Sequence, residues 1–247
     1  MNDRAEAEAP PRRRGRTEAA QALREAKQAL SRDHILAVAE TVFADLGFAG
    51  TRMQDIAREA GISLATLYQF YPGKQDLHRA VLLGRDREML DAVMQDVRPP
   101  APGVHPLVPL LRMLARNLTY LLGHPDYLRM ILQEGHVWYH VAAQPTAAEQ
   151  QMWETGEKLI GDVFEAGVRD GLLIPGDSRD QARLLLALQQ TRLANWVAGG
   201  MAEAGEAVIA RFQCDFVRLF CRPAVARALL ADEGTALRPE ILAAVAA

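Results

Sequence analysis

The 3.6-residue apolar period of this chain is interrupted three times within about thirty residues, and that spacing limits what the region can fold into. Ile35, Val38, Ala39, Val42, Phe43 and Leu46 mark one face of a helix that Gly47 ends. Thr51 is placed to N-cap a short second helix, Met53 to Glu59. Ala60-Gly61-Ile62 forms a tight turn, and Ser63 caps a third helix, Leu64 to Phe70. Pro72-Gly73 then breaks the chain before a long fourth helix, about 75–97.

The rest also reads as helix. The proline-rich linker Arg98 to Gly103 is followed by Leu107, Leu110, Leu111, Leu114, Leu118, Leu121 and Leu122, a one-face stripe stopped by His124-Pro125. Further helices are expected at about 126–142, 146–171, 178–198, 204–221 and 223–231. No stretch alternates with period two, so no sheet is expected and the fold class is all-α. Upstream, residues 17–30 are strong helix formers with few apolar anchors, and residues 1–16 read as disordered.

Of the 247 residues 49% are hydrophobic, enough to bury a core in one or two domains. No apolar run is long enough to span a bilayer and the N-terminus lacks a signal-like apolar stretch, so no membrane partner and a cytoplasmic location are expected. The net charge of −3 does not advertise a polyanion binder, but its distribution is uneven. Residues 12–32 carry seven basic against two acidic side chains, whereas 33–80 carry four against six. Arg12, Arg13, Arg14 and Arg16 are therefore candidates to lie along a phosphate backbone or enter a minor groove, unless the arm is only a solvated tail.

Two short helices joined by a glycine-containing turn and preceded by an amphipathic helix make a helix-turn-helix, whose second helix enters the DNA major groove. The run Ile35, Ala39, Phe43, Gly47, Thr51, Ile56-Ala57, Ala60-Gly61-Ile62-Ser63, Thr66-Leu67-Tyr68, Phe70-Tyr71, Lys74 and Leu77 resembles the DNA-binding domain of TetR-type regulators. The resemblance implies base readers at Gln54 on the second helix and at Leu64, Ala65, Thr66 and Gln69 on the third. Gln can pair with adenine, and the apolar groups can touch a thymine methyl. It also implies phosphate contacts from Thr51, Ser63, Tyr68 and Lys74. Thr51 and Ser63 as caps alone, Tyr68 as core edge and Lys74 as plain surface are the competing assignments. The family usually has glycine at Ala65, and tyrosine then phenylalanine where this chain has Phe70-Tyr71. That order removes one phosphate-binding hydroxyl unless Tyr71 rotates to replace it.

The resemblance divides the chain into a basic extension over 1–30, a DNA-binding domain over 31–80, and a helical effector-binding and dimerisation domain over 81–247. Polar-tipped aromatics and their neighbours suggest the effector pocket: Tyr120, Tyr127, Met130, Glu134, His136, Trp138, Tyr139, His140 and Trp153. His136 and His140 have zinc-compatible spacing, but two histidines are not a site, so no metal and no cofactor are expected. The helix over 204–221 shows two apolar faces, Ile209, Phe212, Phe216, Leu219 and Phe220 on one and Cys214, Val217 and Cys221 on the other. With Leu185 and Trp196, residues Phe212, Cys214, Phe216, Val217 and Cys221 are expected at a homodimer interface, the alternative being burial wholly within the subunit. Cys214 and Cys221 lie about 10 Å apart along a helix, too far for a disulfide.

No phosphate loop, GxSxG elbow or nucleophile setting argues for an enzyme. The expected function is a DNA-binding transcriptional regulator, a repressor released from operator DNA by a small molecule. An activator of the same fold and a non-specific architectural DNA binder are the alternatives.

Overall fold

The computed structural model describes residues 12–95, 102–133 and 147–246. Among the described residues, eleven α-helices run in order: α1 (Arg12–Gly50), α2 (Met53–Glu59), α3 (Leu64–Phe70), α4 (Lys74–Met94), α5 (Val108–Gly123), α6 (Pro125–Gln133), α7 (Ala147–Arg169), α8 (Ser178–Ala198), α9 (Gly205–Phe220), α10 (Pro223–Leu229) and α11 (Pro239–Ala246). The fold is all-α.

The punctuation residues act where local chemistry places them. Gly47 leaves helical geometry at φ 70°, ψ 163°, and so ends the rod of α1 after Leu46. Gly61 turns between α2 and α3 at φ +66°, a conformation a β-carbon would strain. The Ser63 hydroxyl accepts the Thr66 amide at 3.0 Å, and Asp177 does the same for Asp180 at 2.9 Å at the start of α8. Thr51, however, is not the cap of α2. Arg52 holds that position, without a side-chain bond to the helix.

Upstream, the helix over 17–30 runs on into the apolar-periodic stretch as one element. The Ser31 hydroxyl bonds back to the Lys27 carbonyl at 2.8 Å, so the helix carries it without interruption. Residues 12–16, expected to be disordered, are helical, since Arg is a good helix former and only Gly15 opposes it.

Two apolar clusters form the interior. Ile35, Ala39, Phe43, Ile56, Leu67 and Leu77 gather α1 to α4, and Met130 of α6 enters the same cluster. Leu111, Leu118, Phe164, Leu185, Phe212, Phe216, Val217 and Phe220 gather α5 and α7 to α9. The second apolar face of α9 is closed by the same chain. After α10, residues 230–237 make a two-residue antiparallel hairpin, β1 (Leu230–Ala231) with β2 (Ala236–Leu237), and α11 follows. Leu229, Leu237 and Ile241 from this segment join the cluster of Cys214, Val217 and Cys221. The Cys214 thiol donates to the Thr235 carbonyl at 3.5 Å, and Arg112 of α5 donates to the Ala244 and Val245 carbonyls at the end of α11.

This corrects three expectations. Leu185, Phe212, Cys214, Phe216, Val217 and Cys221 are buried inside the subunit and cannot meet a partner. The two apolar faces of α9 do need two partners, but the second is the carboxy-terminal tail. The hairpin and α11 were not expected, because two-residue strands carry no period-two pattern and a helix of eight residues is short for a periodic one. Trp196 is half-buried, and its indole N–H donates to the Glu203 carbonyl at 2.9 Å across the α8–α9 turn.

Leu229→Ala empties a fully buried position beneath the tail. It is expected to lower the unfolding free energy by about 2–5 kcal/mol in urea denaturation, and a loss under about 1 kcal/mol would mean the tail is not packed as described.

Candidate nucleic-acid interface

The helix-turn-helix is held from beneath. Leu67 is fully buried and anchors α3, with Leu64 and Phe70 partly buried against the same cluster, while Met53, Ile56 and Ala57 anchor α2. The anchors of α3 leave its other face outward. Ala65, Tyr68 and Gln69 are exposed on adjacent turns, with Leu64 and Thr66 half-buried beside them. Gln54 is exposed on α2. Ser63 is exposed at the α3 N-terminus, its hydroxyl 2.8 Å from that of Thr66.

Two assigned phosphate contacts, Thr51 and Lys74, have other partners, and Tyr71 is partly enclosed. Thr51 is 1% exposed, and its hydroxyl donates to the Gly47 carbonyl at 2.8 Å. It therefore adds a second bond to a carbonyl that the Thr51 amide already reaches at 3.1 Å, and so closes the end of α1. Lys74 is also committed. Its ammonium donates to the Phe48 carbonyl at 2.5 Å and the Thr51 carbonyl at 2.9 Å, and lies 4.4 Å from the centre of the Phe48 ring. Lys74 thus ties the start of α4 to the end of α1. Tyr71 is half-buried. Burial raises its phenol pKa, with Arg32 opposing and Asp33 adding to the shift.

Arg52 was not singled out from the sequence. It is exposed at the N-cap of α2, where the helix dipole disfavours a cation unless an anion is also present. That mismatch was a readable signal. Arg13 and Arg14 lie on the first turn of α1.

A polar seam joins this unit to the rest. Arg85 of α4 donates to Glu40 of α1 and to Glu88, both at 2.8 Å. The Tyr120 hydroxyl donates to Glu88 at 2.8 Å, and the Tyr120 ring stacks on His124 at 4.1 Å. The Tyr127 hydroxyl donates to Asp86 at 2.5 Å. Arg129 of α6 donates to Asp126 at 2.6 Å and to Asp45 of α1 at 3.0 Å, and Gln133 donates to the Ala44 carbonyl at 2.8 Å. Burial alone would raise the Glu88 and Asp126 pKa values. The bonds from Tyr120 and Arg85, and from Arg129 and Thr41, outweigh it and hold both below the usual carboxylate range.

The seam reassigns part of the expected pocket. Tyr127 and Met130 are 2% and 1% exposed, the first in the core of the larger domain and the second in that of the DNA-binding unit. Tyr120 is half-buried in the seam. Trp153 stands on α7. Glu134, His136, Trp138, Tyr139 and His140 lie outside the described residues. Among the described residues no cluster of three His, Cys, Asp or Glu could hold a metal, and no helix is long and apolar enough to cross a membrane.

Comparison with known proteins bears on this arrangement. The model of the family described as "Bacterial regulatory proteins, tetR family" matches residues 35–81. The HTH-type transcriptional regulator RutR of Escherichia coli K12 is 30% identical over 100 residues, 40% of this chain and 45% of RutR, so the match spans less than half of that relative. The HTH-type transcriptional repressor SCO4008 of Streptomyces coelicolor is 34% identical over 163 residues, covering 65% of this chain and 73% of the relative. This chain belongs to the tetR family. The curated relatives of this tetR-family protein are named as regulators and repressors, not as enzymes. Among solved structures, FadR of Bacillus halodurans superposes with a TM-score of 0.61 at 16% identity, over 74% of this chain and 92% of FadR. SmeT of Stenotrophomonas maltophilia does so at 0.58 and 16%, over 78% and 92%. Both show that the tetR-family chain has the fold of those proteins.

Two variants separate structural from DNA-facing roles. Thr51→Val is expected to cost roughly 1 kcal/mol of stability and to leave the salt dependence of DNA binding unchanged. A flatter dependence would return Thr51 to the interface. Arg85→Met strands the Glu40 carboxylate, whose side chain is 8% exposed. It should cost about 3 kcal/mol at neutral pH. A deficit under about 1 kcal/mol in urea denaturation would show that Glu40 does not depend on Arg85.

Proposed function

We propose that this chain is a sequence-specific DNA-binding transcriptional regulator that acts as a homodimer, and that it is a repressor released from operator DNA by a small molecule. The observation that carries the reading is the exposure of α3. Leu67 roots the helix, with Leu64 and Phe70 partly buried beside it, while Ala65, Tyr68 and Gln69 stand outward behind the exposed Ser63 cap. A helix rooted along one face can present the other to a major groove without loosening its own core.

In this reading Gln69 and Gln54 read base edges, with Leu64, Ala65 and Thr66 supplying apolar contacts. Ser63, Tyr68 and Arg52 hold phosphates, and Tyr71 joins them only by rotating its half-buried ring. The third donor of the Lys74 ammonium can reach a phosphate while the other two stay on their carbonyls.

The homodimer face moves off the buried residues. Leu184 is 62% exposed on α8, and Ala187 and Thr191 continue its row one and two turns on. Leu219 is 55% exposed on α9. These apolar and small side chains are proposed to meet their copies in a partner subunit.

Repression is supported by the names of two proteins like this one. SCO4008 is called a transcriptional repressor, and SmeT the repressor of a multidrug efflux pump. The polar seam of α1, α4, α5 and α6 is proposed as the route by which an effector held in the larger domain alters the spacing of the two recognition helices. A groove one helical turn away tolerates little change in that spacing.

Selection of the purified protein on random duplex DNA near physiological salt tests the reading. An enriched inverted repeat, with half-sites about one helical turn apart, is expected. On that site Gln69→Ala should cost about 1–3 kcal/mol and relax preference at one position per half-site. Binding without enrichment would point to an architectural protein, and no binding would defeat the proposal.

A further inference from the structure

The described side chains in the first half of α1, from Gln21 on, enter neither apolar cluster. Every residue from Gln21 to His34 is exposed, including Leu23 at 58% and Leu30 at 70%. A solitary helix of this kind gains no tertiary stabilisation, and in water one of about twenty residues is marginal. Its continuity with the rooted part of α1 gives it direction. At about 100° per residue, Arg24 and Lys27 lie about 60° apart on one side of this helix, while Glu25 falls on the far side.

The place where this helix leaves the body matters as much as its charge. The Arg32 guanidinium lies 5.9 Å from the centre of the Phe70 ring, at the last residue of α3. The His34 imidazole lies 3.2 Å from the Ala60 carbonyl, at the turn between α2 and α3. The extension therefore departs beside the recognition helix, not from the opposite end of the molecule.

We infer that residues 12–31 form a helical strut that lies along the phosphate backbone of DNA flanking each operator half-site, with Arg24 and Lys27 as two of its phosphate contacts. The inference rests on the DNA-binding reading above and deepens it. The acidic balance of residues 33–80 leaves the helix-turn-helix short of positive charge, and the strut supplies what it lacks. Twenty helical residues reach about 30 Å, close to one turn of duplex, about 34 Å. The DNA covered by one dimer is thus longer than two recognition helices require.

The test uses the full chain and a duplex carrying the selected site with twenty flanking base pairs on each side. Arg24→Gln/Lys27→Gln keeps strong helix formers at exposed positions, so folding is not at issue. Wild type should protect about ten base pairs beyond each half-site from hydroxyl radicals, and the variant should lose that protection. Each dimer loses four cations, so the slope of log affinity against log salt should flatten by about 3.6. The Gln69→Ala variant should weaken specific binding and keep both the flanking protection and the slope. An unchanged slope and footprint in the Arg24/Lys27 variant, with operator binding intact, would overturn the strut and leave the DNA-binding reading standing. Weakened self-association in sedimentation, with an unchanged slope, would assign this face to a second copy and also overturn it. Wild type that binds no DNA would remove both readings.

Discussion

The ammonium group of Lys74 sets the frame of the amino-terminal unit. The regular rod of α1 stops at Gly47, and the Phe48 and Thr51 carbonyls lie just beyond it. Lys74, the first residue of α4, gives one N–H to the Phe48 carbonyl and one to that of Thr51, with the Phe48 ring against its charge. The positive charge sits at the negative end of the α1 dipole, so geometry and electrostatics agree. Between these two fixed points the chain makes α2, the Gly61 turn and α3. The short helices rest on Met53, Ile56, Ala57 and Leu67, and their entry and exit are already held.

The seam between the two apolar clusters is polar, and this shapes how the parts can move. Glu40, Arg85, Glu88 and Tyr120 bridge α1, α4 and α5 through directional bonds. Polar contacts of this kind have discrete partners and can exchange them, whereas apolar packing resists sliding. Met130 is the exception, an α6 side chain sunk in the DNA-binding core. Movement of α6 would disturb that core directly, and movement of α4 would act through Arg85.

Local punctuation was legible in the sequence. Gly47, Gly61, Ser63 and Pro72-Gly73 bound α1 to α4 because each acts through its own backbone or side chain. The bounds of α8 could be read from Pro175-Gly176 and Gly199-Gly200 for the same reason. What could not be read depends on distant partners. Thr51 looks like a cap because its residue type is right, yet its hydroxyl turns back to a carbonyl four residues earlier. Lys74 reads as a phosphate contact or a plain surface lysine because nothing nearby in sequence announces the carbonyls of Phe48 and Thr51. The two apolar faces of α9 were visible, but the sequence pattern of α9 does not say whether a face is covered by another subunit or by residues 229–241. Tyr127 and Met130 failed as pocket residues because polar-tipped and flexible side chains also serve as seams and cores.

The tail that covers α9 also sets an order on synthesis. The amino-terminal cluster draws on residues up to Leu77 and Val81 and gains its last side chain, Met130, when about half the chain has emerged. The larger cluster cannot close until Leu237 and Ile241 have left the ribosome, because until then the Cys214, Val217 and Cys221 face of α9 lies open. For that interval the nascent chain carries a folded amino-terminal unit beside an apolar groove awaiting its cover. A chaperone that binds exposed apolar helix faces would find its target there, and would lose it as the last turns of α11 dock on α5.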